Sequence, residues 1–400
     1  MLISALTPGR CILTNALRSL DTQVMAQALE ALGVPLSWEK SLVIEGQGGR
    51  FPCPNAKIQL QDCGTTARFL TALLSVTPGS FFLNGSKRLQ ERPTKPLFDA
   101  LQDGTERFTY HGDEKKLPVT IQGKPFLKSQ ISVEAAESSQ FPSGIALTLP
   151  FAPHCRTLKL LGPTSSRDYL EMTLALMRSF GASISFTDKH TILCDHRFSY
   201  QARDFEIETD LSSASYFGAL AAIHSGEVTI AKISKDTLQS EKEFFTQLEK
   251  MGCGLIWKQN HLILTGPQKL RAVDADMNQA SDSAMTLAVT CLFADQPSRI
   301  YNVAHIRKKE CDRIFVLARE LRKIGANIDE LPDGWVIHPL ERYAFPESIE
   351  IDPENDHRIA MSLAVVGTKI PKITITQAEC VEKSFPEFFN ILQVKKTTHA

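Results

Sequence analysis

Asp312-Arg313-Ile314-Phe315-Val316-Leu317-Ala318-Arg319-Glu320-Leu321-Arg322-Lys323-Ile324-Gly325 is an amphipathic segment closed by a glycine. Ile314, Leu317, Leu321 and Ile324 recur at helical spacing and place an apolar stripe on one face. Gly325, just past the stripe, supplies the left-handed residue that ends a helix. The arrangement recurs: residues 21–32 end at Gly33, 93–103 precede Gly104, 168–180 end at Gly181, and 240–251 end at Gly252. Successive closing glycines are 71, 77, 71 and 73 residues apart. A fixed period of this length marks a repeat architecture.

A second helix series keeps the same step. Its starts are Gly64-Thr65-Thr66, Ser138-Ser139-Gln140, Ser212-Ser213, Ser281-Asp282-Ser283 and Asn355-Asp356-His357, spaced 74, 74, 69 and 74 residues apart. Ser, Thr, Asp and Asn cap helix N-termini. Between the helices lie short β-rich runs, such as 255–264 with a turn at Gln259-Asn260 and 328–337 with a turn at Pro332-Asp333-Gly334. The unit is a βαβ element with an added strand pair, βαβαββ, and one unit cannot bury both faces of its sheet alone. The expected fold class is α/β, with two domains of three such units, 1–208 and 209–400, and a hinge at residues 205–210. The first unit opens inside an apolar helix at residues 1–6 with neither strand nor cap, so it is expected to be truncated.

Composition narrows the function. Lys plus Arg number 44 and Asp plus Glu 45, for a net charge of −1, which removes any bulk electrostatic reason to bind nucleic acid. The apolar runs are too short to span a bilayer. Nine cysteines without a CxxC pair argue against a disulfide framework and a zinc ribbon. A cytoplasmic monomer is expected.

Helix N-termini favour phosphate and carboxylate, because they present free N–H groups and the positive end of the helix dipole. Several cations stand beside such starts. Arg68 lies one turn inside the helix beginning at Gly64, and Arg92 precedes Pro93. Arg313 and Arg358 open further helices, and Lys383 stands before Ser384-Phe385-Pro386. Arginine makes bidentate bonds to carboxylate and phosphate, so the set suits small polyanions. Taken singly, each reads as a surface cation; the shared placement is what points to a site. Asp282 and Glu310 are the acidic candidates for proton transfer. The plainer readings are an N-cap for Asp282 and an ion pair with Lys308 or Lys309 for Glu310. His357 has no metal-ligand spacing and reads as a capping histidine. Gly46-Gln47-Gly48-Gly49 reads as a turn, and Cys63 and Cys311 as buried bystander thiols.

Nine stretches, in order along the chain, resemble 5-enolpyruvylshikimate-3-phosphate synthases. They are Asp62-Cys63-Gly64-Thr65-Thr66-Ala67-Arg68, Glu91-Arg92-Pro93, Ser138-Ser139-Gln140, Ser166-Arg167-Asp168-Tyr169, Ser212-Ser213-Ala214-Ser215-Tyr216, Ser281-Asp282-Ser283-Ala284-Met285, Lys309-Glu310-Cys311-Asp312-Arg313, Asn355-Asp356-His357-Arg358 and Lys383-Ser384-Phe385-Pro386. The resemblance implies transfer of the enolpyruvyl group of phosphoenolpyruvate to the 5-hydroxyl of 3-phosphoshikimate, with release of phosphate, on the route to chorismate. No metal and no organic cofactor is implied. Ser138, Ser139, Gln140, Ser166, Tyr169, Asp282 and Lys309 are expected to bind 3-phosphoshikimate. Gly64, Arg92, Gln140, Arg313, Arg358 and Lys383 are expected to bind phosphoenolpyruvate. Asp282 is expected to be the base at the 5-hydroxyl, and Glu310 the proton donor and acceptor at the enolpyruvyl methylene.

Two departures stand out. The family's Lys-Ser pair and following Arg at the first helix start have no counterpart after Met1, which implies an impaired 400-residue form. His305 stands where an Asn that contacts 3-phosphoshikimate is sometimes found, and no role is carried to it. Two alternatives stay open: a UDP-N-acetylglucosamine enolpyruvyl transferase, and a non-catalytic anion-binding homologue. The stretch 82–92 lacks the cysteine typical of the former, and retention of Asp282 and Glu310 argues against the latter.

Overall fold

The five glycines that close the amphipathic helices all have positive φ: +84° at Gly33, +82° at Gly104, +94° at Gly181, +107° at Gly252 and +78° at Gly325. In the computed structural model, which describes every residue except 165, 197–198, 342–347 and 398–400, the helices before them run Leu20–Ala31, Lys95–Leu101, Arg167–Ser179, Lys242–Lys250 and Arg313–Lys323. The second of these is shorter than the sequence suggests. Thr94 precedes its first residue and Pro96 lies in its first turn, so Arg92 falls instead at the C-terminal end of a separate short helix, Lys87–Glu91.

The chain divides into two compact units, Met1–Ile207 and Glu208–Ala400. In the first, three four-stranded sheets follow one plan, and two of them are each built from one continuous stretch of chain. Asn55–Gln59 pairs in parallel with Gly79–Asn84, which continues antiparallel into Val119–Gly123 and Phe108–Tyr110. Gln130–Glu134 does the same with Thr157–Leu161 and the strands after it. In the remaining sheet the parallel neighbour of Pro8–Thr14 is Phe205–Glu206, from the far end of the unit. The second unit repeats the plan at Asp274–Asp276, Ser298–Tyr301, Gly334–Ile337 and Ile328–Leu331. This is the α/β repeat architecture that the spacing predicts. Gly46 and Gln47 belong to the strand Leu42–Gln47, and only Gly48 and Gly49 make the turn, with φ of +61° and +78°.

The second helix series forms the centres of the units. Gly64–Val76 and Gln140–Thr148 are buried along most of their length in the first unit. Leu211–Ile223, Ala284–Cys291 and His357–Gly367 are buried in the second. These helices are apolar nearly all round, as buried helices are. In the second unit a polar thread joins all three: Ser215 Oγ donates to Thr286 Oγ1 at 3.2 Å, and Thr286 Oγ1 lies 3.4 Å from Ser362 Oγ. Each of these residues lies in the first two turns of its helix, so the three N-termini stand close together.

Candidate active site

The second unit gathers the acidic candidates and three cations near those helix starts. Asp282 lies in the 3-10 turn Ser281–Ser283 that leads into Ala284–Cys291. It does not act as a cap. Its two oxygens are taken by two arginines: Arg313 Nη1 donates to Oδ1 at 3.1 Å and Arg358 Nη2 to Oδ2 at 2.9 Å. Glu310 is drawn into the same cluster. It accepts from Arg313 Nη2 at 2.9 Å and faces Lys383 Nζ at 3.9 Å. Arg313 therefore bridges both acids. Lys383 ends the 3-10 helix Ala378–Lys383, and Arg358 is the second residue of His357–Gly367.

Burial by itself would push the Asp282 carboxyl up. The positive charges of Arg358, Lys309 and Arg313 outweigh that and hold it far below the usual carboxylate range. Burial lowers two neighbouring histidines. His305, which faces Lys309, Asp282 and Arg313, falls to about 4, and His357 falls to about 3. Both are neutral near pH 7. His357 is not the cap expected from the sequence. Asp356 caps that helix by accepting from Arg358 N at 2.9 Å, and His357 is its buried first residue.

Asp356 is the residue that sequence reasoning undervalued. Its carboxylate is wholly buried, and Arg313 Nε donates to it at 2.7 Å. A capping Asp directly after Pro353-Glu354-Asn355 could be read from the sequence only as a cap, because the guanidinium it also holds lies 43 residues away. Cys311 Sγ reaches the same carboxylate at 3.6 Å, and burial pushes that thiol well up, so it stays protonated.

The first unit carries the other group. Gly64 begins the helix Gly64–Val76, and a side chain there would strike the Arg68 and Arg92 guanidinium groups; a Cβ would lie 2.8 Å from Arg92 Nη1. Both arginines are therefore drawn up against the start of that helix. Arg68 Nη2 also donates to Pro93 O at 3.1 Å, which ties it to the segment carrying Arg92. Gln140 Nε2 donates to Thr65 Oγ1 at 3.0 Å, linking the starts of Gly64–Val76 and Gln140–Thr148. Ser138 Oγ accepts from Gln140 N at 3.2 Å, and Ser139 is buried beside it. Ser166 stands before Arg167–Ser179 in a left-handed conformation, with Tyr169 in the first turn. That helix meets Gln140–Thr148 where Thr173 Oγ1 donates to Ser143 Oγ at 3.2 Å. Among the described residues no group of three or more His, Cys, Asp and Glu could hold a metal ion, and no helix is long and apolar enough to cross a membrane.

Comparison with known proteins finds relatives along nearly the whole chain. The profile of EPSP synthase (3-phosphoshikimate 1-carboxyvinyltransferase) matches residues 1–392. A 3-phosphoshikimate 1-carboxyvinyltransferase of Trichormus variabilis is 36% identical over 392 residues, spanning 97% of this chain and 91% of that protein. An EPSP synthase from Acinetobacter baumannii superposes with a TM-score of 0.82 at 24% identity, over 98% of this chain and 91% of the other. The enolpyruvyl transferase NikO of Streptomyces tendae superposes at 0.74 with 14% identity, over 98% and 90%. Fold and site thus define a transferase of the enolpyruvyl transferase fold. Within that class, the chain belongs to the EPSP synthase family.

Proposed function

We propose that the chain transfers the 1-carboxyvinyl group of phosphoenolpyruvate to the 5-hydroxyl of 3-phosphoshikimate, with Asp282 and Glu310 as its two proton-transfer groups. The observation that carries this reading is the sharing of Arg313 by both acids, at 3.1 and 2.9 Å, which keeps two carboxylates within reach of one anion-binding guanidinium. The hydroxyl oxygen bonds to C2 of phosphoenolpyruvate while its proton passes to Asp282, and Glu310 gives its own proton to the C3 methylene. In the second half Glu310 takes a proton back from the new methyl group. The bond from C2 to the phosphate oxygen breaks, and phosphate leaves with the proton held by Asp282. Both acids end as they began. Acid–base groups of this kind supply about 10²–10⁴-fold in rate.

Ser138, Ser139, Gln140, Ser166, Tyr169 and Lys309 are assigned to 3-phosphoshikimate, because hydroxyl, amide and helix-end N–H groups suit a phosphate. Gly64, Arg92, Gln140, Arg313, Arg358 and Lys383 are assigned to phosphoenolpyruvate, whose carboxylate and phosphate match guanidinium and ammonium donors. The test is release of inorganic phosphate from phosphoenolpyruvate with either 3-phosphoshikimate or UDP-N-acetylglucosamine as acceptor. Release with 3-phosphoshikimate is expected. Release only with the nucleotide sugar overturns the assignment.

A further inference from the structure

Arg313 has two faces. Its Nε is held at 2.7 Å by Asp356, a carboxylate with no solvent exposure, and that contact is fixed by the fold. Its Nη1 points the other way, to Asp282, whose side chain is 22% exposed. Arg358 makes its ion pair with the second oxygen of the same Asp282. One donor of each arginine, Arg313 Nη1 and Arg358 Nη2, is thus engaged by a carboxylate that water can reach. These are the donors that a carboxylate or phosphate ligand needs. A carboxylate whose two oxygens are both so engaged is also a poor proton acceptor.

We propose that Asp282 occupies the places on Arg313 and Arg358 that an anionic substrate later takes, and becomes a working base only once the anion has displaced it. The inference rests on the base role proposed above and adds its control. Anion binding and proton acceptance by Asp282 draw on the same donors, so each must alter the other by the same factor. Asp356 keeps Arg313 in place during the exchange, and the partial exposure of Asp282 lets water solvate the released carboxylate. The charged and titratable groups facing Asp282 are Arg313, Arg358, Lys309, Glu310 and His305. After the exchange the anion neutralises the two guanidinium groups, Glu310 repels, and the carboxylate becomes more basic.

The probe is phosphoenolpyruvate alone, titrated calorimetrically into the full chain without an acceptor. Asp282→Asn, nearly isosteric, removes the competitor and should bind it tighter by about tenfold, the scale of one hydrogen bond to a charged group. Glu354→Gln removes the same charge from a carboxylate paired with Arg319 and should leave affinity unchanged. Unchanged or weaker binding by Asp282→Asn, or equal tightening in both variants, overturns the proposal. A second measurement follows Asp282 itself. In the natural chain labelled with ¹³C at the aspartate carboxyls, the resonance that is missing from Asp282→Asn should titrate at higher pH when phosphoenolpyruvate is present; no movement overturns the exchange. Turnover is scored separately. If Asp282→Asn binds tighter but keeps full turnover, the base role fails while the displacement stands. If it loses turnover at unchanged affinity, the base role stands and the exchange fails.

Discussion

Arg313 Nε and Asp356 Oδ2 lie 2.7 Å apart with the arginine side chain 2% exposed and the aspartate side chain not exposed at all. Removing one partner of a buried pair leaves a charge without its counter-charge, which costs roughly 3–5 kcal/mol. Asp356→Ala should therefore lower urea stability by about 3 kcal/mol or more. It also removes the cap on Arg358 N. Asp356→Asn can keep that cap through its amide oxygen while losing the charge, so it should be the milder variant in stability. Equal stability of the natural chain and both variants would remove Asp356 from the framework of the site.

Glu310→Gln separates the proton from the shape. The amide can still accept from Arg313 Nη2, now 2.9 Å from Glu310 Oε2, but it cannot give a proton to a methylene. kcat should fall by about 10²-fold or more with a smaller change in KM. In deuterated water the natural chain should place deuterium at C3 of the enolpyruvyl group during turnover, and the variant should lose that exchange along with rate. A variant that stays fast and still exchanges would return Glu310 to the standing of an ion-pair partner.

The sequence was most legible where backbone conformation depends on a single residue. Gly33, Gly181, Gly252 and Gly325 each mark a helix end to within two residues, because the left-handed conformation selects glycine at that point. The hairpin Gly254–Lys258 with His261–Thr265 also follows from local turn chemistry around Gln259-Asn260. Legibility failed where long-range pairing decides a role. Asp210, not Ser212, caps Leu211–Ile223, accepting from Ser212 N and Ser213 N. Polar residues crowd that start, and only the fold selects among them. Asp282 resembles a cap by position, yet two arginines 31 and 76 residues away claim both its oxygens. Arg92 was misplaced because Pro93 looked like the first residue of a helix that begins at Lys95.

Gly64→Ala should act on ligand binding more than on folding. The atoms that a Cβ would strike are the tips of Arg68 and Arg92, which are long, flexible side chains, rather than backbone. The helix start can therefore stay in place while the guanidinium groups move aside. Alanine at the first position of Gly64–Val76 is compatible with helix. The expected outcome is a melting temperature within a few degrees of the natural chain, since the added methyl meets side-chain tips that can shift and no backbone atom. KM for phosphoenolpyruvate should rise by about tenfold, the loss expected from misplacing one charge-assisted hydrogen bond. An unchanged KM would show that Arg92 does not meet this substrate.

His357 makes stability depend on pH. Its side chain is 5% exposed, and burial, only partly opposed by Asp356, lowers it to about 3 from 6.5. The folded state therefore binds this proton less readily than the unfolded chain. The stability that neutral His357 supports is fully present above the unfolded value near 6.5 and is lost as pH falls from there toward 3. At pH 5 the difference amounts to about 2 kcal/mol from this group alone. His305, lowered to about 4, adds a smaller loss of the same sign over the same range. His357→Asn cannot take up the proton, so its urea stability should change less between pH 7 and pH 5 than that of the natural chain, whatever its absolute value. The remaining slope should shrink again in the His305→Asn, His357→Asn double variant. Parallel stability curves for the natural chain and His357→Asn over that range would mean that His357 takes up its proton at the same pH in the folded and unfolded chain, and would remove burial as a source of the slope.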